Sequence, residues 1–201
     1  MVATPKPQYF TPEEYLEWEE HQQLKYEYIE GEVFAITGGT IAHGTIALNL
    51  GTTIKNHLRG SSCRAFVFDV KVGISQKGPF HYPDVMVSCD QRDQDALKVI
   101  YYPCLIAEVL SPSTEGFDRG RKFANYRRIE TLQEYLLIDT QQMSVECFRR
   151  IPQNKWELTA YTQEEEIQLT SVDFKFPISL LYEDVQFPPE SPENERLFYQ
   201  L

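Results

Sequence analysis

The chain predicts an α/β domain in which a central mixed β-sheet is flanked by helices, and three observations lead there. The run from Cys104 to Leu110 is wholly apolar apart from Glu108, the character of a central strand buried on both faces. Ile46, Leu50, Ile54 and Leu58 recur at the spacing of one helix face. Strand-like and helix-like segments follow in the order helix, hairpin, helix, three strands, helix, strands, which suits one mixed sheet rather than separate all-α or all-β layers.

The elements follow in order. Thr11-Pro12-Glu13-Glu14 opens a helix: Thr11 caps, Pro12 suits the first turn and Glu14 completes a capping box. This helix carries Tyr15, Leu16 and Trp18 and fades near His21. Tyr26 to Ile36 reads as a hairpin turning at Glu30-Gly31 and broken by Gly38-Gly39. The helix over Ile41 to Leu58, reinforced by Ala47, stops at Gly60. Cys63 to Ile74 alternates as a strand, and Gln76-Lys77-Gly78-Pro79 turns it into the strand holding Asp84. Asp90 to Lys98 is a charged surface excursion. Ser111-Pro112-Ser113-Thr114 feeds a helix from about Glu115 to Arg128. Glu134 to Asp139 forms the next strand, and Met143 to Arg149 with Trp156 to Tyr161 form antiparallel ribbons. Residues 1–24 are then an N-terminal helical extension, 25–186 a single α/β domain, and 187–201, beginning Phe187-Pro188-Pro189-Glu190, a Pro/Glu-rich tail.

Composition narrows the function classes. A chain of 201 residues with 42% hydrophobic and 24% charged residues fits one soluble globular domain with a real core. No apolar run has the length of a membrane helix, and Met1 to Pro7 lacks an apolar signal core, so no membrane partner is expected. Cys63, Cys89, Cys104 and Cys147 are widely spaced, three of them in strand-like contexts, and read as reduced core thiols; a cytoplasmic location follows. The net charge of −11 opposes a tight general DNA binder. Much of the acid is terminal, however, and Arg119-Gly120-Arg121-Lys122 with Arg127-Arg128 stays locally basic, which leaves room for a weaker contact with nucleic acid.

Within this frame two acids stand out. Asp84 in Tyr82-Pro83-Asp84-Val85-Met86-Val87 and Glu108 in Leu105-Ile106-Ala107-Glu108-Val109-Leu110 each interrupt an apolar strand, where an unpaired buried charge costs several kcal/mol. Alternation puts Asp84 on a face with Tyr82 and Met86, and Glu108 on a face with Ile106 and Leu110. If the strands pair, the carboxylates converge. Hard oxygen donors without a cysteine or histidine cluster suit Mg²⁺ or Mn²⁺ rather than zinc. Such an ion polarises a phosphoryl oxygen and activates a bound water, while Lys122 orients that water or stabilises developing charge. Each piece also has a plainer reading. A Pro-Asp pair is common where strands begin, Glu108 fits a structural carboxylate, and Asp118 with Lys122 fits a surface helix ion pair of a few tenths of a kcal/mol. Their combination in this order favours a site.

The stretch from Tyr26 to Asp139 resembles a bacterial restriction-endonuclease family within the PD-(D/E)XK nuclease superfamily. The matching pieces are Tyr26-Glu27-Tyr28-Ile29-Glu30-Gly31-Glu32, His43 opening a helix, Pro83-Asp84-Val85, Glu108-Val109-Leu110-Ser111-Pro112-Ser113-Thr114, Asp118…Lys122…Tyr126, and Glu134-Tyr135-Leu136-Leu137-Ile138-Asp139. The resemblance implies a restriction-endonuclease-like core, Mg²⁺ held by Asp84 and Glu108, a nucleic-acid substrate, expected to be DNA, and a homodimer. Where the superfamily places a lysine two residues beyond the second acid this chain has Leu110, and the resemblance passes that role to Lys122.

Accessory candidates are Glu30 or Glu27 as a further acid, His43 as a phosphate contact or proton carrier, Asp69 in Phe66-Val67-Phe68-Asp69-Val70 as a cleft residue, and Asp118 beside Lys122. Glu30 also reads as an exposed turn residue. Two functions from different classes are carried forward: a metal-dependent endonuclease, and a nuclease-like fold kept as a binding or assembly module without turnover. A Glu108 closed off from solvent would favour the second.

Overall fold

The computed structural model describes residues 9–36 and 38–187, so the start of the chain and most of the expected 187–201 tail lie outside the described residues. The elements are α1 (Pro12–Glu19), β1 (Tyr26–Ile29), β2 (Glu32–Ala35), α2 (Ile41–His57), β3 (Arg64–Val67), β4 (Lys71–Gly73), β5 (Phe80–His81), β6 (Val85–Ser88), β7 (Val99–Ile100) and β8 (Leu105–Val109). There follow α3 (Glu115–Phe117), a π-helical turn (Asp118–Lys122), α4 (Phe123–Tyr126), β9 (Glu134–Ile138), β10 (Ser144–Ile151), β11 (Lys155–Thr162), β12 (Glu166–Leu169) and β13 (Phe174–Pro177).

The central mixed sheet has six strands in the order β11-β10-β9-β8-β6-β3. Strands β8 and β9 are parallel and joined by the helical segment α3 to α4, while the other pairings are antiparallel. A second, five-stranded sheet runs β2-β1-β5-β4-β7, and β12 with β13 forms a ribbon. The α/β architecture is the expected one. The expectation of one sheet is corrected to a central sheet with a second beside it.

Alternation in β6 and β8 sorts the core. Val85, Val87, Leu105, Ala107 and Val109 face Ile46, Ala47, Leu50 and Ile54 of α2. Met86, Ile106 and Leu110 join Tyr126, Ile129, Tyr135 and Leu137 on the other side. Both faces of β8 are buried, which explains its near-continuous apolar run. Helix α1 begins with the expected capping box and packs Tyr15 against Tyr28 and Phe80. The hairpin turns at Glu30 (φ 52°) and Gly31 (φ 96°), the paired left-handed conformation of a type I′ turn.

Two expectations fail here. Cys63 to Ile74 is not one strand: β3 belongs to the central sheet and β4 to the second, and the chain crosses between them at Phe68, whose φ is +56°. The alternation ran on because each half has its own sheet to bury against. Cys63 and Cys89 are not free thiols but a disulfide, with Cα atoms 4.0 Å apart. The β3–β6 register pairs Arg64 with Ser88, and its next step sets Cys63 opposite Cys89. Cys104 and Cys147 remain thiols. The cysteines therefore lend no support to a reducing compartment. Among the described residues no helix is long and apolar enough to cross a membrane.

Candidate active site

The antiparallel register of β6 and β8 pairs Val85 with Ala107, so its continuation sets Asp84 opposite Glu108, on one face. Asp84 Oδ2 accepts a 2.7 Å hydrogen bond from the Val109 amide, tying its carboxylate to the end of β8. Backbone register thus sets the two acids opposite each other, and the Asp84 carboxylate is bonded to the residue next to Glu108. Strand β8 ends at this point, and its crossover leads into the segment that returns over the same face. The site therefore lies at the carboxyl end of a parallel strand, where α/β sheets commonly hold ligands.

Lys122 comes from that returning segment. Its Nζ lies 3.0 Å from Glu108 Oε1, 3.3 Å from Asp118 Oδ1 and 3.3 Å from Glu27 Oε1. Tyr126, one turn further on, donates its hydroxyl to the same Glu108 Oε1 at 2.8 Å. Asp118 and Lys122 span the π-helical turn, whose Asp118 carbonyl accepts from the Tyr135 hydroxyl at 3.0 Å. Such single π turns often occur at functional sites. Here both side chains of the turn are buried, so the exposed ion pair of the plainer reading is excluded.

Glu27 is the acid that sequence reasoning weighed beside Glu30. It stands on β1, in the second sheet, and is 7% exposed. Its carboxylate accepts from the Tyr82 amide at 3.2 Å and pairs with His81 Nδ1 at 3.0 Å. His81 is fully buried, and its Nε2 lies 3.1 Å from the Asn125 amide nitrogen. Nothing in the sequence marks His81 or Asn125. Tyr126 stands out in the sequence only as part of the family pattern.

His43 sits in the first turn of α2 because Thr40 caps its amide. Its Nε2 is 3.3 Å from Asp84 Oδ2, and the two side chains, 16% and 14% exposed, form the open side of the site. Glu30 and Asp69 are not brought in. Glu30 points to solvent with its side chain 80% exposed and pairs with Arg121 at 3.0 Å. Asp69 is exposed on the crossing between sheets. The basic run is also largely neutralised. Arg119 pairs with Glu115 and Glu146, Arg121 with Glu30, and Lys122 with the site, leaving Arg127 and Arg128 without carboxylate partners among the described residues.

The electrostatics follow from four carboxylates around one ammonium. Burial pushes the Glu108 carboxyl well above the ordinary range; Lys122 opposes this, and Asp118, Asp84 and Glu27 add to it. Burial also raises Asp118, against the pull of Lys122. Burial disfavours the charge on Lys122, but Glu108, Glu27, Asp118 and Asp84 outweigh it and hold the ammonium protonated. On His43 burial is likewise overcome by Asp84, so its pKa lies above the usual imidazole range. Burial works against the charge of Glu27 too, yet Lys122, His81 and the Tyr82 amide bring its pKa down to about 2.

That depression has a measurable consequence. A carboxyl moved from 4.5 to about 2 contributes roughly 3 kcal/mol of stability above its unfolded pKa. The contribution is lost as pH falls through the window between those two values. Glu27→Gln is expected to destabilise the protein at pH 7 by up to about that amount, and by progressively less toward pH 2. Urea unfolding of both proteins across this range checks it; a pH-independent difference would refute the assignment.

The donor set suits a hard cation. Neither Asp84 Oδ1 nor Glu108 Oε2 takes part in the contacts described, and the carboxylates outnumber the cations facing them. Among the described residues no three His, Cys, Asp or Glu donors converge on one ion position. Two carboxylates with the remaining positions left to water and phosphate is a habit of Mg²⁺.

Comparison with known proteins agrees with this architecture. A family model, "Uma2: Putative restriction endonuclease", matches residues 12–179. Two curated proteins of the cyanobacterium Synechocystis sp., "Uncharacterized protein slr1290" and "Uncharacterized protein sll1609", are 38% identical over 177 residues and 35% identical over 178. The matches cover 88% of this chain in both cases, and 93% and 97% of those proteins. Among solved structures, a "putative nuclease belonging to DUF820" from Anabaena variabilis superposes with a TM-score of 0.71 at 19% identity, over 88% of this chain and 99% of that one. At that identity the likeness concerns the fold.

Proposed function

The chain belongs to the family described as "Uma2: Putative restriction endonuclease", and from that premise we propose that it is a Mg²⁺- or Mn²⁺-dependent endonuclease acting on DNA. The observation that carries the reading is Lys122 Nζ at 3.0 Å from Glu108, with Asp84 facing Glu108 across the paired strands. Asp84 and Glu108 would hold the ion, which when bound supplies Lewis acidity toward a phosphoryl oxygen and a water of lowered pKa.

The chain's own groups do the rest. Val109 N–H and His43 fix the Asp84 carboxylate. Tyr126 orients Glu108 through its hydroxyl. The three N–H donors of Lys122 face three carboxylates, so release of Glu108 from this pairing frees one for a phosphoryl oxygen or an attacking water. Asp118 and Glu27 keep the ammonium charged and aimed while this happens.

Nicking of supercoiled plasmid, with single-stranded, duplex and branched DNA alongside, tests the reading in Mg²⁺ or Mn²⁺ and in EDTA. Asp84→Asn should lower cation-dependent cutting by about a hundredfold or more with the fold intact. Cutting by this variant at the wild-type rate would trace the activity to a contaminant.

One observation favours a second reading. Glu108 is 3% exposed and Lys122 7%, a closed arrangement suited to a nuclease-like module that binds or assembles without turnover. Calorimetric titration with Mn²⁺ separates the two, since the module predicts no binding at the acid pair.

A further inference from the structure

We propose that the ring of Phe68 is a stacking platform for an unpaired nucleobase beside the phosphodiester that the carboxylate site receives. The location rests on the nuclease reading, and the inference adds a substrate class: single-stranded or locally unpaired nucleic acid.

Two stretches cross between the central and the second sheet, 68–70 and 82–84, and they meet at the site. The Phe68 amide donates to the Asp84 carbonyl at 2.9 Å, and the Val70 amide returns to the Phe68 carbonyl. This tight crossing holds Phe68 at φ +56°, a left-handed conformation that a bulky side chain adopts only under constraint. A glycine would take that conformation freely. The aromatic side chain is not compensated by burial: Phe68 is 39% exposed and belongs to none of the three apolar cores. An isolated exposed aromatic is ordinary on a protein surface. One that is strained, and fixed by its own amide to a candidate metal ligand, points to a role outside the core.

The ring's surroundings name the ligand. Phe68 lies 6.4 Å between centroids from the His43 imidazole, at an interplanar angle of 24°, and His43 reaches Asp84 at 3.3 Å. Two nearly parallel rings thus edge the open side of the site, one joined to the acid through its side chain and the other through its backbone. A planar base is the part of a nucleic acid that such a surface recognises. The charge of the chain leads to the same choice. With a net charge of −11 and most of its basic run already paired, the protein has little with which to attract a phosphate backbone. Base stacking does not depend on net charge and tolerates any sequence, but it needs a base released from its neighbours.

The test is binding in EDTA, where no cutting is read. The probe is a short oligothymidylate carrying one 2-aminopurine, followed by anisotropy and by quenching of the 2-aminopurine fluorescence. The wild type is expected to quench it and to prefer the single strand over the same sequence in duplex. Phe68→Gly should lose roughly five- to a hundredfold in affinity together with the quenching, while its melting temperature rises as the strain is relieved. Phe68→Tyr should keep both binding signals. Unchanged affinity and quenching in Phe68→Gly would overturn the proposal, as would a wild type that binds no oligonucleotide. A wild type that stacks the probe yet never cuts would refute the nuclease reading and leave the platform standing. A wild type that cuts, with Phe68→Gly binding like it, would refute the platform alone.

Discussion

Lys122→Met is expected to destabilise the protein by about 3–5 kcal/mol at neutral pH, the cost of leaving buried charges without their partner, and to abolish cutting. The ammonium is the common partner of Glu108, Glu27 and Asp118, and methionine replaces its length without its charge. Burial and mutual repulsion then raise the folded-state pKa of these carboxyls above their unfolded values. A group shifted in that direction favours the folded state fully below its unfolded pKa, and the advantage disappears as pH rises through the folded one. The deficit of the variant should therefore be large near pH 7.5 and much smaller near pH 2, where Glu27 is losing its charge in the wild type as well. Urea unfolding at the two pH values reads it directly. An equal loss at both would mean that Lys122 contributes packing by its stem, and that the charge balance drawn for the site is wrong.

The parts of the site that lie within single strands or one helix were legible in the chain, because local rules place them. Glu108 announces itself by interrupting a run buried on both faces, and Asp84 by preceding Val85-Met86-Val87. Lys122 stands on the helix-like segment that follows them and takes its role from the family resemblance, while its spacing to Asp118 suggests only a surface ion pair; the π-helical turn that buries both has no mark in the sequence. What depends on long-range register is legible only in part: the sequence offers Glu27 as an alternative to Glu30 but not the contacts that bring it in. Glu27 enters the site because β1 pairs with the very short β5, which brings it to His81 and Tyr82. Periodicity shows which face of β1 is buried but not what lies opposite. The same blindness hid the disulfide, since Cys63 and Cys89 meet only through the β3–β6 register. Glu30 and Asp69 drew attention by carrying charge next to apolar runs, yet each sits where the chain leaves its strand, so the carboxylates reach water. Phe68 escaped notice for the opposite reason. Its residue type fits the strand pattern and only its backbone does not.

Glu108→Gln should separate charge from shape, with the opposite profile to Lys122→Met. Burial holds the Glu108 carboxyl well above its ordinary pKa and so disfavours its charge, which makes an uncharged amide of the same shape a mild replacement while no cation is bound. The glutamine oxygen can still accept from Tyr126 and from Lys122, whose other two carboxylate partners remain. The change in unfolding free energy should stay within about 1 kcal/mol, the worth of an altered hydrogen bond. Cation-dependent cutting should nevertheless fall by about a hundredfold or more, because an amide is a poor ligand for a hard divalent ion. A ligand that binds only the folded state raises its melting temperature by mass action, so Mn²⁺ should raise that of the wild type and leave that of Glu108→Gln unmoved. A variant as unstable as Lys122→Met would show that Glu108 is ionised and serves chiefly to pair with the ammonium. The same Mn²⁺ shift in both proteins would remove Glu108 from the list of ligands, and with it the two-carboxylate site on which the nuclease reading depends.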